Sequence, residues 1–390
     1  MEEKGYRYGL HKVPGIGNKT AISLLQKGIS AKELFGMKEE RIKALLLPKQ
    51  AEAFWDYRRN ADLEKDYEDL RNSAVKMVTF FDRDYPAGLK KIEDPPFVLY
   101  YIGKLPEQGR VSLAIIGARE CSAYGSSMAA AFARGAAFAG VDVISGMARG
   151  IDGIAQEHAL AEGGETYAVL GCGVDICYPK SNRELYDRIP EKGGICSPYP
   201  PGTEPVKTLF PYRNKIVAGL SDAVLVIEAR QKSGTLITVD MALEQGKDVY
   251  AVPGRLVDRL SDGCNYLLRQ GAGIALSPED LMAELLLLKN RSGAAKKRAE
   301  KGAEDAGASL AEGREAEKVK SKTPEDDRQG TEEGLLKYLD VIPRSVDEIC
   351  ESMKADGENP VISKLLFELI GLCMAGKARQ ISGNYFIKII

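Results

Sequence analysis

Five short apolar segments in the middle of the chain constrain its fold more than any other feature. A cluster of glycine, serine or proline follows each segment, directly in four cases and after five residues in the fourth segment along the chain, and stretches with helical character separate the segments. Apolar runs of this length and spacing are typical of parallel strands buried on both faces. The sequence therefore predicts an α/β protein with a doubly wound parallel sheet. The five predicted strands are Leu113–Ile116, Val141–Ile144, Tyr167–Leu170, Ala223–Ile227 and Val249–Val252.

The clusters that follow these strands are expected to meet in space. The carboxyl ends of parallel strands lie along one edge of the sheet, where open α/β sheets bind their ligands. Backbone amides, helix N-termini and guanidinium groups gathered there favour an anion. The sequence therefore predicts a phosphate-binding edge. Its clusters begin at Gly117, Ser145, Gly171, Ser233 and Pro253.

Composition limits the classes of protein that fit. A length of 390 residues suggests two or three domains. The net charge is −2, so any nucleic-acid site must be a local basic patch. Seven scattered cysteines and two histidines predict neither a disulfide framework nor a metal site, and they favour a reducing cytoplasm. No secretory signal and no membrane-spanning segment is predicted.

The character of the sequence changes along the chain and predicts separate segments. Residues 291–330 contain almost no large apolar side chains, so we expect them to be disordered. The last segment shows three helical patterns and then a β-hairpin turning at Gly383-Asn384, which together are typical of a winged helix. The predicted segments are a helical domain of helix-hairpin-helix or SAM-like type (1–70), a connector packing on the core (71–110), the α/β domain (111–290), a charged linker (291–330) and a winged-helix domain (331–390).

A glycine-rich hairpin near the N-terminus leaves two interpretations open. Residues 13–20 precede a predicted helix, Ala21–Lys27, and resemble the hairpin with which helix-hairpin-helix elements approach a DNA phosphate. The alternative is a plain turn between two packing helices. Lys12 and Lys19 favour DNA, whereas the acidic residues between 62 and 69 oppose it.

The first strand-end cluster places an arginine beside a helix start. Gly117 follows the strand, and Ser122 precedes an alanine-rich helix whose free amides favour an anion. Arg119 is expected to bind a phosphate through paired hydrogen bonds, and the alternative is an ion pair with a loop carboxylate. No G-x-G-x-x-G follows any of the strands, which argues against NAD or FAD, and no cofactor is predicted.

The second cluster combines two glycines with an arginine and a helix-capping residue. Asp152 is expected to be the N-cap of a helix over Gly153–Leu160. Arg149 either points to the ligand or pairs with Asp152, and both alternatives remain open. His158, inside that helix, is interpreted as a packing residue rather than a catalyst. The predicted ligand-binding positions of this cluster are Ser145, Gly146, Arg149 and Gly150.

A later stretch sets one aromatic residue among cations. Phe210 lies between Lys207 and Arg213, a pattern that suits single-stranded nucleic acid because cations follow the backbone while a ring stacks on a base. The alternative is that Phe210 is a buried core residue. The other predicted phosphate-binding positions are Lys180 in an exposed loop, Asn214, Lys215, and Ser233, Gly234 and Thr235 at the start of the last long helix.

Ordered motifs extend over residues 80–275, approximately. They include Tyr85-Pro86, Asp94-Pro95-Pro96, Gly117-Ala118-Arg119, Ser145–Asp152, Gly171–Asp175, Tyr178-Pro179, Arg213–Ser221, Ser233–Thr238 and Ala251–Gly254.

Together these motifs resemble the bacterial DNA-processing protein A (DprA/Smf) family. The resemblance implies an extended Rossmann-like domain that binds single-stranded DNA and forms a homodimer. It also implies that the protein loads the recombinase RecA onto DNA in natural transformation and displaces single-strand-binding protein. Lys215 stands where the family often has arginine, which weakens a bidentate contact there. By motif, the family places DNA contacts at Arg119, Lys180, Lys207, Phe210 and Arg213.

Three hypotheses about function follow. The first is a DNA-binding recombination mediator without enzymatic turnover, because no Ser-His-Asp set and no Walker lysine is present. The second is a hydrolase that binds nucleoside monophosphates, similar to the lysine-decarboxylase-like phosphoribohydrolases. That family has a catalytic glutamate after its glycine-threonine loop, whereas the nearest acids here are Asp240 and Glu244. The third is a scaffold whose winged helix binds the DNA.

Overall fold

The structure of the chain is a computed structural model. This structure describes residues 1–289, 335–339, 344–356, 365, 368–369, 372–373, 377–381 and 385–388. The chain divides into two compact units, residues 1–305 and 306–390. The predicted linker 291–330 and the predicted hairpin turn at 383–384 lie outside the described residues.

The predicted strands form the centre of a nine-stranded sheet in the first unit. All five are parallel, and each agrees with its predicted limits to within one residue, so the α/β class is confirmed. The strand order is β1-β2-β6-β5-β4-β3-β7-β8-β9. The strands are β1 (Lys76–Thr79), β2 (Val98–Gly103), β3 (Ser112–Ile116), β4 (Asp142–Ser145), β5 (Thr166–Val169), β6 (Gly194–Ser197), β7 (Ala223–Val226), β8 (Asp248–Ala251) and β9 (Gly273–Ile274).

Helices cover both faces of this sheet, as a doubly wound arrangement requires. On one face, Phe132 and Ala155 pack against Leu113 of β3, and on the other, Ile216 and Val239 belong to the cluster around β7. Burying apolar side chains on both faces is the main stabilising contribution to such a sheet. The helices are α7 (Ala123–Phe138), α8 (Ile151–Ala161), α9 (Arg183–Lys192), α10 (Phe210–Leu220), α11 (Gly234–Glu244) and α12 (Asp262–Arg269), and residues 278–289 are also helical. They follow six N-terminal helices, α1 (Glu3–Lys12), α2 (Asn18–Gln26), α3 (Ala31–Gly36), α4 (Glu39–Leu45), α5 (Pro48–Asn60) and α6 (Leu63–Asn72).

The sheet continues in antiparallel fashion where the sequence predicted only a connector. β1 pairs with β2, and β2 pairs with β6, so the segment 71–110 contributes two strands. Phe97 and Tyr100 are fully buried there. Sequence patterns missed β6 because it has only four residues and begins with Gly194. A Cβ on Gly194 would lie 1.9 Å from the Lys104 carbonyl oxygen, so close strand approach requires glycine at this position.

The N-terminal hairpin is anchored to the α/β core by Asn18. The Asn18 side chain accepts a hydrogen bond from the Phe97 amide (3.0 Å) and donates one to the Tyr212 hydroxyl (2.8 Å). Lys19 forms an exposed ion pair with Glu93. The hairpin therefore packs against α10, and both cations that favoured DNA have carboxylate partners, Lys12 with Asp66.

The second unit contains a short sheet beside a helix. Ser345 caps the helix Val346–Ala355, with Glu348 completing a capping box. Ile349, Leu369 and Phe386 belong to its buried apolar cluster. The strands are β10 (Arg344–Ser345), β11 (Ala378–Ile381) and β12 (Tyr385–Lys388), in the order β10-β12-β11.

Candidate functional site

A pocket of about 600 Å³ opens at the carboxyl edge of the parallel strands, where α/β sheets bind ligands. Its wall combines the loops that follow β3 and β7 with the first turns of α10 and α11. The predicted site residues that line it are Gly117, Arg119, Gly146, Lys207, Phe210, Arg213, Asn214, Ser233, Gly234 and Thr235.

Phe210 lies among cations and aromatic rings at this pocket. The guanidinium carbons of Arg119 and Arg213 lie 6.0 and 5.5 Å from the centre of its ring. The ring of Tyr178 lies 5.6 Å from it. A Cβ on Gly171 would come within 2.9 Å of Phe210 Cδ1, so the ring packs directly over this glycine. Phe210 is partly exposed, which leaves the ring accessible from the pocket.

Arg213 is buried beneath the pocket rather than free on its surface. Its Nη1 donates to the carbonyl oxygens of Gly146 (2.5 Å) and Val169 (2.8 Å). Burial lowers the pKa of Arg213, and the nearby Asp152 carboxylate opposes this shift. The guanidinium stays protonated at neutral pH, because arginine does not lose its proton in proteins. Arg213 therefore fixes the loop after β4 and supplies positive charge from below.

The loops after β3 and β4 interlock through Gly150. This residue, not Asp152, is the N-cap of α8, and its φ is 73°. A Cβ on Gly150 would lie 2.3 Å from the Ala118 carbonyl oxygen, so only glycine permits this approach. The Asp152 carboxylate instead accepts a hydrogen bond from the Gly146 amide. The prediction that Asp152 caps α8 was wrong, because the helix begins two residues earlier.

The helix start at Ser122 is already occupied by a side chain of the protein itself. Ser122 caps α7 and accepts a hydrogen bond from the Gly125 amide. Its amide and its hydroxyl both donate to the carboxylate of Glu228. Ser145 is fully buried, and its hydroxyl donates to the Ile115 carbonyl. Internal partners therefore hold both side chains, and the phosphate contacts expected at Ser122 and Ser145 stay predictions.

The start of α11 contrasts with that of α7. Ser233 is its N-cap residue, but the side chain makes no capping hydrogen bond. The Ser233 hydroxyl oxygen is buried without a partner among the described residues. A Cβ on Gly234 would meet nothing within 4 Å, so this turn is open. The Thr235 hydroxyl donates to the Gly117 carbonyl and joins the α11 start to the loop after β3.

The remaining predicted cations lie outside the pocket wall. Lys180 and Arg149 are exposed, and neither has an ion pair in the described part of the chain. The suggested pair between Arg149 and Asp152 is not formed. Lys215 lies near Glu93 instead. The pKa of Glu93 is lowered mainly by its hydrogen bond and ion pair with Lys19, and the charge of Lys215 adds a smaller contribution. The motif thus places Lys215 next to Arg213 in sequence but not beside it in the pocket.

Arg230 and Tyr178 also line the pocket, although the sequence analysis assigned neither of them a role in binding. Arg230 lines the pocket immediately after the β7 segment, and Tyr178 contacts Phe210. Arg230 could have been found, because it follows a predicted strand at the edge where ligands bind. Tyr178 precedes a proline in a long loop, and no periodic signal indicates its contact with a ring 32 positions away.

The acidic residues of the pocket are few. Glu120 and Asp152 line it, whereas Asp240 and Glu244, the acids considered for hydrolysis, do not. In the described ranges, no cluster of three or more His, Cys, Asp or Glu side chains has the arrangement of a metal site. Among the described helices, none combines the length and hydropathy needed to cross a bilayer.

Comparison with known proteins agrees with this architecture. Residues 76–286 match the family described as DNA recombination-mediator protein A. The DNA processing protein DprA of Streptococcus pneumoniae is 38% identical over 255 residues, which cover 59% of this chain and 90% of that protein. An X-ray structure of the Streptococcus pneumoniae protein superposes with a TM-score of 0.64 at 34% identity, covering 72% of this chain and 97% of that one.

A second solved structure extends the comparison. DNA processing protein A from Helicobacter pylori, whose structure concerns a single-stranded DNA binding mode, has a TM-score of 0.50 at 31% identity, covering 55% of this chain and 97% of that one. The family match includes the strands and loops that build the pocket. The chain therefore belongs to the DNA recombination-mediator protein A family, which includes the DprA and Smf proteins.

Proposed function

We propose that the pocket binds single-stranded DNA. The observation that carries the proposal is Phe210, partly exposed, with the exposed cations Arg119 and Lys207 on the same wall and the buried Arg213 beneath the ring. A base can stack on the ring while the phosphates on either side meet cations. A duplex hides its base faces within the stack, so this arrangement favours single strands. The single-stranded DNA binding mode of the related Helicobacter pylori protein supports the same class of ligand.

Replacement of Arg119 by alanine tests this proposal. One charge-assisted contact contributes about 1.5–3 kcal/mol, so we expect single-strand affinity to fall roughly tenfold or more at low salt. The slope of log affinity against log salt should flatten by about 0.7 for one lost phosphate contact. Fluorescence anisotropy with a labelled oligo(dT) measures both quantities, with a duplex of equal length in parallel.

Arg269→Ala is the matched control for this experiment. Arg269 is exposed at the last residue of α12, which runs from the carboxyl edge of the sheet towards the opposite edge. The two variants lose the same charge, so a difference between them reports position rather than net charge. Unchanged binding by Arg119→Ala, or equal losses in both variants, would contradict the proposed site.

We further propose that the bound strand is handed to the recombinase RecA during natural transformation. In this proposal the protein acts in the cytoplasm as a homodimer without enzymatic turnover, and it displaces single-strand-binding protein. Membership of the recombination-mediator family supports the role, and seven free cysteines fit a reducing compartment. RecA ATPase activity on DNA coated with single-strand-binding protein should start sooner with this protein and not with Arg119→Ala.

The same preparation distinguishes the hydrolase hypothesis. Incubation with AMP, followed by chromatography for free adenine, should show no release above the buffer blank. Adenine release that scales with protein concentration would instead favour the phosphoribohydrolase alternative.

We also propose that the second unit is a winged-helix domain in which residues 331–390 act together. A helix followed by antiparallel β11 and β12, with β10 pairing alongside, supports this assignment. Because the DNA pocket belongs to the first unit, removal of residues 306–390 should leave single-strand affinity unchanged. Loss of affinity on truncation would favour the hypothesis in which the winged helix binds the DNA.

A further inference from the structure

Glu228 is a buried carboxylate that has no cation as its partner. The residue is 1% exposed. Within the described ranges it forms no ion pair, and its oxygens accept hydrogen bonds from the Ser122 amide (2.9 Å) and the Ser122 hydroxyl. Burial of an unpaired carboxylate is costly unless strong donors compensate it. The donors here belong to the N-terminal turn of α7, whose dipole also favours a negative charge.

The contact between Glu228 and Ser122 lies at the switch point of the sheet. α7 follows β3, and Glu228 lies two residues beyond the end of β7. β3 and β7 are neighbours at the point where the strand order reverses, because β4 lies on the other side of β3. This switch point, with its helix N-terminus, is where doubly wound folds hold a ligand phosphate.

The first turn of α7 has no room for a second anion while Glu228 is present. A Cβ on Gly125 would lie 2.2 Å from Glu228 Oε2, so the carboxylate already fills the space over this turn. Gly125 therefore permits the approach of the glutamate. The start of α11, on the other side of Gly117, carries no such carboxylate and is open at Gly234.

We propose that Glu228 is a specificity-determining residue that takes the place of a ligand phosphate. By occupying the N-terminus of α7, it excludes inorganic phosphate and nucleoside monophosphates from the switch point. Arg119 and the start of α11 then remain available to bind the phosphate backbone of a ligand that approaches from solvent. The exclusion of phosphate is argued only from the contacts of Glu228 with Ser122 and Gly125, whereas the identification of the ligand as DNA rests on the proposed function.

The variant Glu228→Ala tests the exclusion directly. It should vacate the α7 N-terminus and bind inorganic phosphate and AMP at least tenfold more tightly than the wild type, as measured by equilibrium dialysis and ³¹P NMR. Glu228→Gln fills the same volume and should gain no affinity. Adding Ser122→Ala to Glu228→Ala should reverse the gain, because it removes a donor from the vacated site.

Two results would overturn the inference. One is folded Glu228→Ala protein that binds phosphate no better than the wild type, and the other is a gain that persists unchanged when Ser122 is also replaced. If Glu228→Ala does not fold in phosphate-free buffer, added phosphate should restore its cooperative thermal unfolding, and failure of that rescue also counts against the inference. Oligo(dT) binding by the wild type is measured in parallel, so its absence would contradict the DNA proposal alone.

Discussion

The charged side chains at the amino edge of the parallel sheet differ in their partners from those that line the pocket at its carboxyl edge. At the amino edge, Arg110 pairs with Asp142 and Glu165, and Lys289 pairs with Asp222. At the carboxyl edge, the pocket cations Arg119, Lys207 and Arg230 have no ion pair within the described residues. Both edges belong to the same sheet, so the difference lies in the side chains that the loops supply.

Whether a cation has an internal partner indicates whether it stabilises the fold or is available to a ligand. Cations with internal partners hold loops together, and their charge is largely neutralised at short range. Unpaired cations around an accessible ring keep their attraction for an external polyanion. The carboxyl edge thus carries local positive charge that no internal carboxylate neutralises within the described residues, although the whole chain has a net charge of −2. Arg213 is the exception, because it sits at the carboxyl edge but is buried with internal partners.

The largest effect is therefore expected from Arg213→Met. It removes the donor to the carbonyls of Gly146 and Val169, together with the buried cation whose charge acts on Asp152, while the Asp152 carboxylate keeps its hydrogen bond from the Gly146 amide. A hydrogen bond from a charged donor contributes about 1.5–3 kcal/mol, so the loss of two should lower the free energy of unfolding by about 3–5 kcal/mol. Urea denaturation followed by circular dichroism measures the loss.

Lys104→Met is the matched change at the amino edge. Lys104 is half exposed, and its partner Glu165 keeps Arg110, so we expect a loss below about 1 kcal/mol. Similar losses in the two variants would contradict the interpretation that Arg213, unlike the other pocket cations, stabilises the fold through internal partners.

The sequence predicted the strands, and which loops meet at one edge of the sheet, because both depend on local patterns. Short apolar runs define the strands, and chain order alone brings Gly117, Ser145 and Ser233 to one edge. It could not predict that Glu228 fills the helix start at Ser122, which lies 106 positions earlier. The sequence likewise could not separate Arg213, which is buried, from Arg119, which is exposed, since both are arginines in glycine-rich or polar surroundings. Contacts between distant segments decide which polar groups remain free for a ligand.

A second, smaller effect is expected from Phe210→Ala. Stacking of one base on an aromatic ring contributes about 1–3 kcal/mol, so single-strand affinity should fall roughly tenfold while the salt dependence stays the same. The unchanged salt slope separates stacking from phosphate contact, which Arg119→Ala should alter. Fluorescence anisotropy over a salt series measures both.

Phe138→Ala provides the control on the opposite edge. Phe138 is 96% exposed at the last residue of α7, so it offers a more accessible ring than Phe210 but no neighbouring pocket cations. Its removal should leave DNA affinity unchanged. Weakening by Phe138→Ala equal to that by Phe210→Ala would mean that exposed rings bind DNA regardless of the edge they occupy.

The last effect concerns the amino edge of the sheet, where charges are paired, and its response to pH. Burial raises the pKa of Asp142 to about 6, although Arg110 acts against this shift. The folded state thus holds the Asp142 proton more tightly than the unfolded chain, and the stabilisation from this group is present at low pH and lost as the pH rises through 6. Asp142→Asn cannot titrate, so its stability relative to the wild type should improve by about 2 kcal/mol between pH 4 and pH 7. Urea denaturation of both proteins at these two pH values gives the difference. If the difference in free energy of unfolding between the two proteins is the same at both pH values, Asp142 titrates at its ordinary pKa. In that case the charge of Arg110 fully offsets the burial of the carboxyl.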